Sequence, residues 1–97
     1  MRIEADAVTN RNATRIVEAG VAAIRAGDAV MDFSAVRRCD SSAVAAVLAW
    51  ARAARAADRP LRLAAVPDDL RSLARLYGLD AVVGELFADP PPPNPAG

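Results

Sequence analysis

The stretch Val30 to Arg55, VMDFSAVRRCDSSAVAAVLAWARAAR, constrains the fold more than any other part of the chain. A short apolar run ends in Asp32, and a polar elbow leads to Asp40-Ser41-Ser42. A helix that carries no charge until Arg52 then begins at once. A helix that is apolar all round is buried on both sides or meets a partner. The two hydroxyls fall at its start, where backbone N–H groups point outward and the helix dipole favours negative charge. Such a cluster can cap the helix, or it can be a switch that a phosphate would set.

At 97 residues the chain makes one small domain. Such a chain buries only about two-thirds of its unfolded surface, so its core must be efficient. The composition is 54% apolar but only 4% aromatic, which predicts a core of Ala, Val and Leu. Every basic residue is Arg, and Lys, His and Gln are absent. That pattern, with the Ala excess, reads as GC-rich coding rather than as function. Twelve Arg balance twelve acids, and Arg37-Arg38 is the longest basic run. A nucleic-acid binder normally shows a basic stripe, so this class is disfavoured. One cysteine, Cys39, excludes an internal disulfide and any cysteine-based zinc site. Without His there is no imidazole base and no Ser-His-Asp triad. No apolar run is long enough to span a bilayer, and no signal peptide is recognisable. The reading is a soluble cytoplasmic protein that reaches a membrane only through a partner.

Along the chain, Met1 to Val8 alternates Ile3, Ala5 and Ala7 with Arg2, Glu4 and Asp6, which predicts an edge strand. Arg11 to Ala26 has helical spacing, with Ala13, Ile16, Val17, Gly20 and Ile24 on one face and Gly27 as the stop. Gly20 on that face predicts close packing of helix on sheet. Ala29 to Phe33 reads as a central strand buried on both faces. Ser34 to Asp40 reads as a polar loop, followed by a helix to about Ala57 that Pro60 cannot continue. Leu61 to Val66 is the next strand. Pro67-Asp68-Asp69 opens a third helix, with Leu70, Leu73, Ala74 and Tyr77 as its apolar face and Gly78 as its end. Residues 80–87 fit a short helix or a short strand equally. Ala88 to Gly97 reads as a proline-rich disordered tail, which leaves residues 1–87 as the domain. The order β-α-β-α-β-α predicts an α/β domain with a small, mostly parallel sheet and three to four helices.

On the second helix, 100° steps gather Val44, Val47, Leu48, Ala51 and Ala54 on the expected core side. The opposite side holds Ser42, Ala45, Ala46, Ala49 and Ala53. Ser41 and Arg52 border it on one flank and Trp50 on the other. Nothing else in so small a domain is left to cover this side, and its alanines allow another backbone to approach closely. Trp and Arg are the residue types that most often anchor interfaces. The competing reading is that exposed alanines merely reflect helix propensity and coding bias, with Trp50 folded over the core edge.

Other candidate chemistry is weak. Asp40 or Ser41 can be an ordinary N-cap. Cys39 fits a small buried filler, and Asp32 fits a loop-bracing hydrogen bond. No glycine-rich phosphate loop is present, and the acids form no pair at a catalytic or metal spacing. Neither an enzyme nor a cofactor is expected.

VMDFSAVRRCDSSAVAAVLAW resembles the signature of STAS domains, the family shared by anti-sigma factor antagonists and sulfate-transporter tails. There a strand ends in D-L-S or similar, and D-S-S-G or D-[ST]-[AS]-[GA] opens the next helix. LRLAAVPDDLRSLARLYGLDAVV is similar to the family's second half, a strand followed by P-x-x-L-x-x-L-x-x-x-G-L. The resemblance covers roughly Met1 to Glu85. The W-x-R-x-A ending (Trp50, Arg52, Ala54) and the L-x-R-L-Y-G-L segment (Leu73, Arg75 to Leu79) resemble the MlaB type most.

The resemblance implies a bacterial, non-catalytic cytoplasmic subunit that binds the ATPase of an ABC-type phospholipid transport complex, the system of outer-membrane lipid asymmetry. It implies helices mainly on one face of the sheet, with the D-S-S helix facing the partner. Asp40, Ser41, Ser42, Ala45, Ala49, Trp50 and Arg52 are then the expected partner-binding residues. Ser41 matches the hydroxyl that anti-sigma antagonists have phosphorylated, so the alternative implied is an antagonist of an anti-sigma kinase. Two departures disfavour that alternative. Ala43 stands where many switch proteins have Gly, and the antagonists' extra N-terminal strand and long C-terminal helix are not recognisable. Sheet edges are then left for a partner or a second copy in a homodimer to cover.

Overall fold

In the computed structural model, the described residues are 1–79. The expectations for residues 80–87 and for the proline-rich tail over 88–97 lie outside them. The elements are β1 (Ala7–Val8), α1 (Ala13–Arg25), β2 (Val30–Asp32), β3 (Arg38–Cys39), α2 (Ser41–Ala56), β4 (Arg62–Ala64) and α3 (Asp68–Leu76). The expected alternation of strand and helix is present. One short strand, β3, is added inside the stretch read as a polar loop.

All strand pairing is parallel. β2 pairs with β4 in the register Val30↔Arg62, Met31↔Leu63 and Asp32↔Ala64. β1 pairs with β3, Ala7 opposite Arg38 and Val8 opposite Cys39. The N-terminal segment joins the two pairs. The Asp32 amide donates to the Met1 carbonyl (2.8 Å) and the Ile3 amide donates to the Asp32 carbonyl (2.9 Å). The segment therefore lies between β2 and β3, which corrects the expectation of an edge strand. Nor is it one unbroken strand. Its buried residues are Ile3 and Val8, an odd spacing that straight alternation cannot put on one face. A bend at Asp6 resolves this, and the Asp6 carbonyl accepts from the amides of Arg37 and Arg38.

The helices cover one side of this sheet. Met31, Phe33 and Leu63 are buried in a single cluster with Ile16 and Ile24 of α1, Val44, Val47 and Trp50 of α2, and Leu70 and Ala74 of α3. Arg2, Val30 and Arg62 remain exposed. Val30 keeps 39% of its surface, so β2 is not buried on both faces as its apolar run suggested. α3 begins after Pro67, with Asp68 and Asp69 in its first turn. Tyr77 is not part of its core face. It follows the last helical residue and is 52% exposed, beside Leu76 at 75%.

The tightest contact joins α1 to α2. Trp50 is fully buried, its ring tilted 59° to Phe33 at a centroid distance of 6.0 Å. That is a favourable aromatic geometry. Its indole Nε1–H donates to the Val17 carbonyl (3.2 Å), and the same edge of the indole lies on Gly20. A Cβ at Gly20 would overlap the indole. The glycine on the apolar face thus permits helix-on-helix approach, not the helix-on-sheet approach expected. Gly20→Ala should destabilise the fold by about 1–3 kcal/mol through overpacking. Chemical denaturation followed by Trp50 fluorescence reads this as a lower midpoint, and an unchanged midpoint contradicts the packing.

Candidate functional site

The strand-to-helix junction at Asp40 organises the site. The Asp40 amide donates to the Val8 carbonyl (3.1 Å), which ends the β1–β3 pairing. One carboxylate oxygen accepts from the Ser42 amide (2.8 Å) and the other from the Asn10 amide (3.2 Å). Asp40 therefore caps α2 and ties it to the turn that leads into α1. The Ser42 and Asn10 amides hold its carboxyl below the usual carboxylate range, the Ser42 amide most strongly.

Ser41 is released from that role. It stands at the first helical position, exposed, and no group among the described residues hydrogen-bonds its hydroxyl. Of the two candidate caps, the carboxylate wins because its acceptor geometry reaches the second amide of the helix and its charge meets the positive end of the dipole.

Behind the cap, the residues of the expected partner face divide. Ser41, Ala45 and Arg52 are exposed, while Asp40, Ser42 and Ala49 are half-buried along the same side. Trp50 is not on it. The indole is wholly inside the core, which corrects its assignment as a partner-binding residue. Ala46 is buried as well, and Leu48 and Ala51, expected in the core, are half-buried on the flank. At 100° per residue, the buried side of α2 is turned roughly 60° from the expected one. The cause is the indole, which is the bulkiest group on the helix and fits only over Gly20. The resulting exposed strip holds Ser41, Ala45, Arg52, Arg55 and Ala56. Arg55 is the residue missed by sequence reasoning; it stands one turn beyond Arg52 on the same strip.

Neighbouring groups set the site's limits. Asp32 braces its own turn, as expected, by accepting from the Ser34 amide (2.8 Å). The Ser34 hydrogen bonds hold its carboxyl below the usual range. Asp69 reaches from α3 to accept from the Cys39 amide (3.2 Å), tying α3 to the β3–α2 junction. Cys39 is half-buried, and its thiol is pushed up to about 11 by burial, then by the charges of Asp69 and Asp40. At neutral pH it is a protonated filler, not a nucleophile. Among the described residues no cluster of three or more His, Cys, Asp or Glu could hold a metal ion. No helix among them is long and apolar enough to cross a membrane.

A parallel sheet with helices on one side, and a helix with one exposed strip opened by a capped D-S-S turn, define a STAS-type domain. A family profile described as "Mlab, STAS domain" matches residues 5–85. The chain belongs to this MlaB-type STAS family, whose domains are protein-interaction modules. No curated protein matches the chain.

The cap carries a pH signature. A carboxyl whose folded-state pKa is depressed stabilises the fold above its ordinary range and loses that contribution as pH falls through the folded value. The native chain should therefore lose stability below about pH 4 more steeply than Asp40→Asn, which keeps a capping side chain but cannot titrate. Ser41→Ala should change stability by no more than about 0.5 kcal/mol at pH 7. Thermal denaturation of the three proteins across pH checks both statements.

Proposed function

We propose that this chain is a non-catalytic subunit that docks on and regulates the ATPase of an ABC-type phospholipid transport system. The contact is the outer strip of α2, from Asp40 and Ser41 through Ser42, Ala45 and Ala49 to Arg52. One observation carries the reading: the strip is exposed at Ser41, Ala45 and Arg52, half-buried at Ser42 and Ala49, and carries no charge between Ser41 and Arg52, about 16 Å of helix. Small side chains let a partner backbone approach closely, and no large exposed apolar residue on α2 invites unspecific contact. The burial of Trp50 supports the reading by making the strip rigid, since α2 cannot turn without lifting the indole off Gly20. Membership of the MlaB-type family supports the choice of partner. In this reading the protein works in the cytoplasm and is held at the inner membrane through the complex. It uses no cofactor, and residues 1–87 form its single domain.

A second reading makes the chain an antagonist of an anti-sigma kinase, switched by phosphate on Ser41. It draws on the exposure of the Ser41 hydroxyl at a helix N-terminus. Ala43 weighs against it, because it stands directly after the D-S-S turn where many switch proteins have Gly.

The test is co-purification with the transporter's ATPase subunit. Ala45→Arg and Ser41→Glu should each reduce recovery of the ATPase strongly. Ala22→Arg, on the exposed side of α1, should leave it unchanged. Full recovery with both α2 variants contradicts the proposal. A phosphate on Ser41 in the native chain, with release of a kinase, selects the second reading.

A further inference from the structure

Asn12 stands at the N-cap of α1, where an asparagine side chain ordinarily accepts from one of the first helical amides. It makes no such bond, and no acidic residue in the first turn of α1 replaces it. The side chain faces the other way. Its Oδ1 accepts from the Thr9 amide (3.0 Å) and its Nδ2 donates to the Ala7 carbonyl (2.8 Å). Those partners require an acceptor and a donor on one short planar group, which the asparagine amide supplies.

The forgone cap secures the turn over residues 9–12. The Thr9 carbonyl accepts from the amides of Asn12 (3.1 Å) and Ala13 (2.9 Å), and the Thr9 hydroxyl accepts from the Arg11 amide (3.3 Å). Every amide from Thr9 to Ala13 thus has an acceptor. Only that of Asn10 finds it outside the turn, on the Asp40 carboxylate (3.2 Å). The turn also adjoins the docking strip, since Asn10 lines a groove between α1 and α2 together with Ser42 and Ala45.

We propose that Asn12 is a positioning residue for docking: it folds the turn that aims the Asn10 amide at Asp40, and so holds the D-S-S start of α2 in the orientation the partner meets. This rests on the docking role of α2 and adds a residue that acts on the contact surface through Asp40. Asn12 itself is half-buried behind that surface. A binding surface needs such support, because a site loose by about an ångström loses its fit.

The experiment measures two quantities in the full chain: affinity for the transporter's ATPase subunit, and the Asp40 carboxyl titration by carbon-13 NMR. It compares the native protein with Asn12→Ala, Asn10→Pro, Ile24→Val and Ala45→Arg, and Trp50 fluorescence verifies folding. Asn10→Pro deletes only the amide that reaches Asp40. Asn10 is the second residue of a turn closed by the Asn12 amide on the Thr9 carbonyl, a place that favours Pro, so the turn survives. This variant decides the matter if Asn12→Ala does not fold. Asn12→Ala and Asn10→Pro should each bind about fivefold more weakly, the loss of one positioning hydrogen bond, and titrate Asp40 nearer the ordinary carboxylate range. Ile24→Val trims a fully buried side chain at the far end of α1. It should lower stability and leave affinity and titration unchanged, which separates positioning from mere support of the fold. Native affinity in folded Asn12→Ala or in Asn10→Pro, with binding lost in Ala45→Arg, overturns the positioning role and leaves the docking role intact. Weaker binding with an unmoved Asp40 titration, or equal weakening in Ile24→Val, also overturns the positioning role. Equal affinity in every protein, or no binding of the native chain, overturns both.

Discussion

The seat of the Trp50 indole on Gly20 is the contact on which the rest of the structure depends. It joins the two longest helices, and it fixes not only their distance but the rotation of α2 about its own axis. An indole hydrogen-bonded to the Val17 carbonyl and tilted against Phe33 has one place to go. Once it is there, Val44, Val47 and Ala54 must point inward, and Ser41, Ala45 and Arg52 must point out. Beyond Phe33 and Met31 the rest of the core is Ala, Val, Leu and Ile, which make few shape-specific contacts, so this one sets the register for many weaker ones.

A second constraint acts at the opposite end of the same helix. Asp40 gathers three backbone groups, from Val8, Asn10 and Ser42, at the point where the sheet gives way to α2. The carboxylate cap has two consequences. It locks the turn before α1 to the start of α2, and it leaves the Ser41 hydroxyl unused by the fold. A residue that the structure holds in an exposed, well-defined place without needing it for stability is available to a partner. The function proposed for this MlaB-type STAS domain is built on that availability and on the smooth, uncharged strip that follows it.

Much of the fold is legible in the residues themselves. Gly27 and Gly78 mark helix ends, and both adopt positive φ. Pro67 with two aspartates opens α3, and Asp32 braces its own turn. The differences have physical causes. The N-terminal segment carries a charged alternation that reads as an edge, yet its backbone pairs on both sides, because pairing depends on neighbours that sequence patterning does not report. β3 is two residues long and leaves no periodicity to read. The α2 face is misplaced by sequence pattern because alanine is compatible with core and surface alike. The alanines from Ala43 to Ala53 therefore carry no directional signal, and the indole decides. The clue is a lone glycine on the apolar face of α1 facing the chain's single tryptophan on α2. Arg55 escapes notice because a basic residue in a last helical turn is already explained by the dipole.

The central claim is that the indole lock turns the Ser41–Arg52 strip outward to meet the ATPase of a lipid transporter. Photo-crosslinking tests this most directly. A benzophenone amino acid replaces Ala45 in one protein and Ala22, on the exposed side of α1, in another. Each is irradiated with the intact transporter complex. The account predicts a crosslink to the ATPase subunit from position 45 and none from position 22. A crosslink from position 22 with none from position 45 contradicts it.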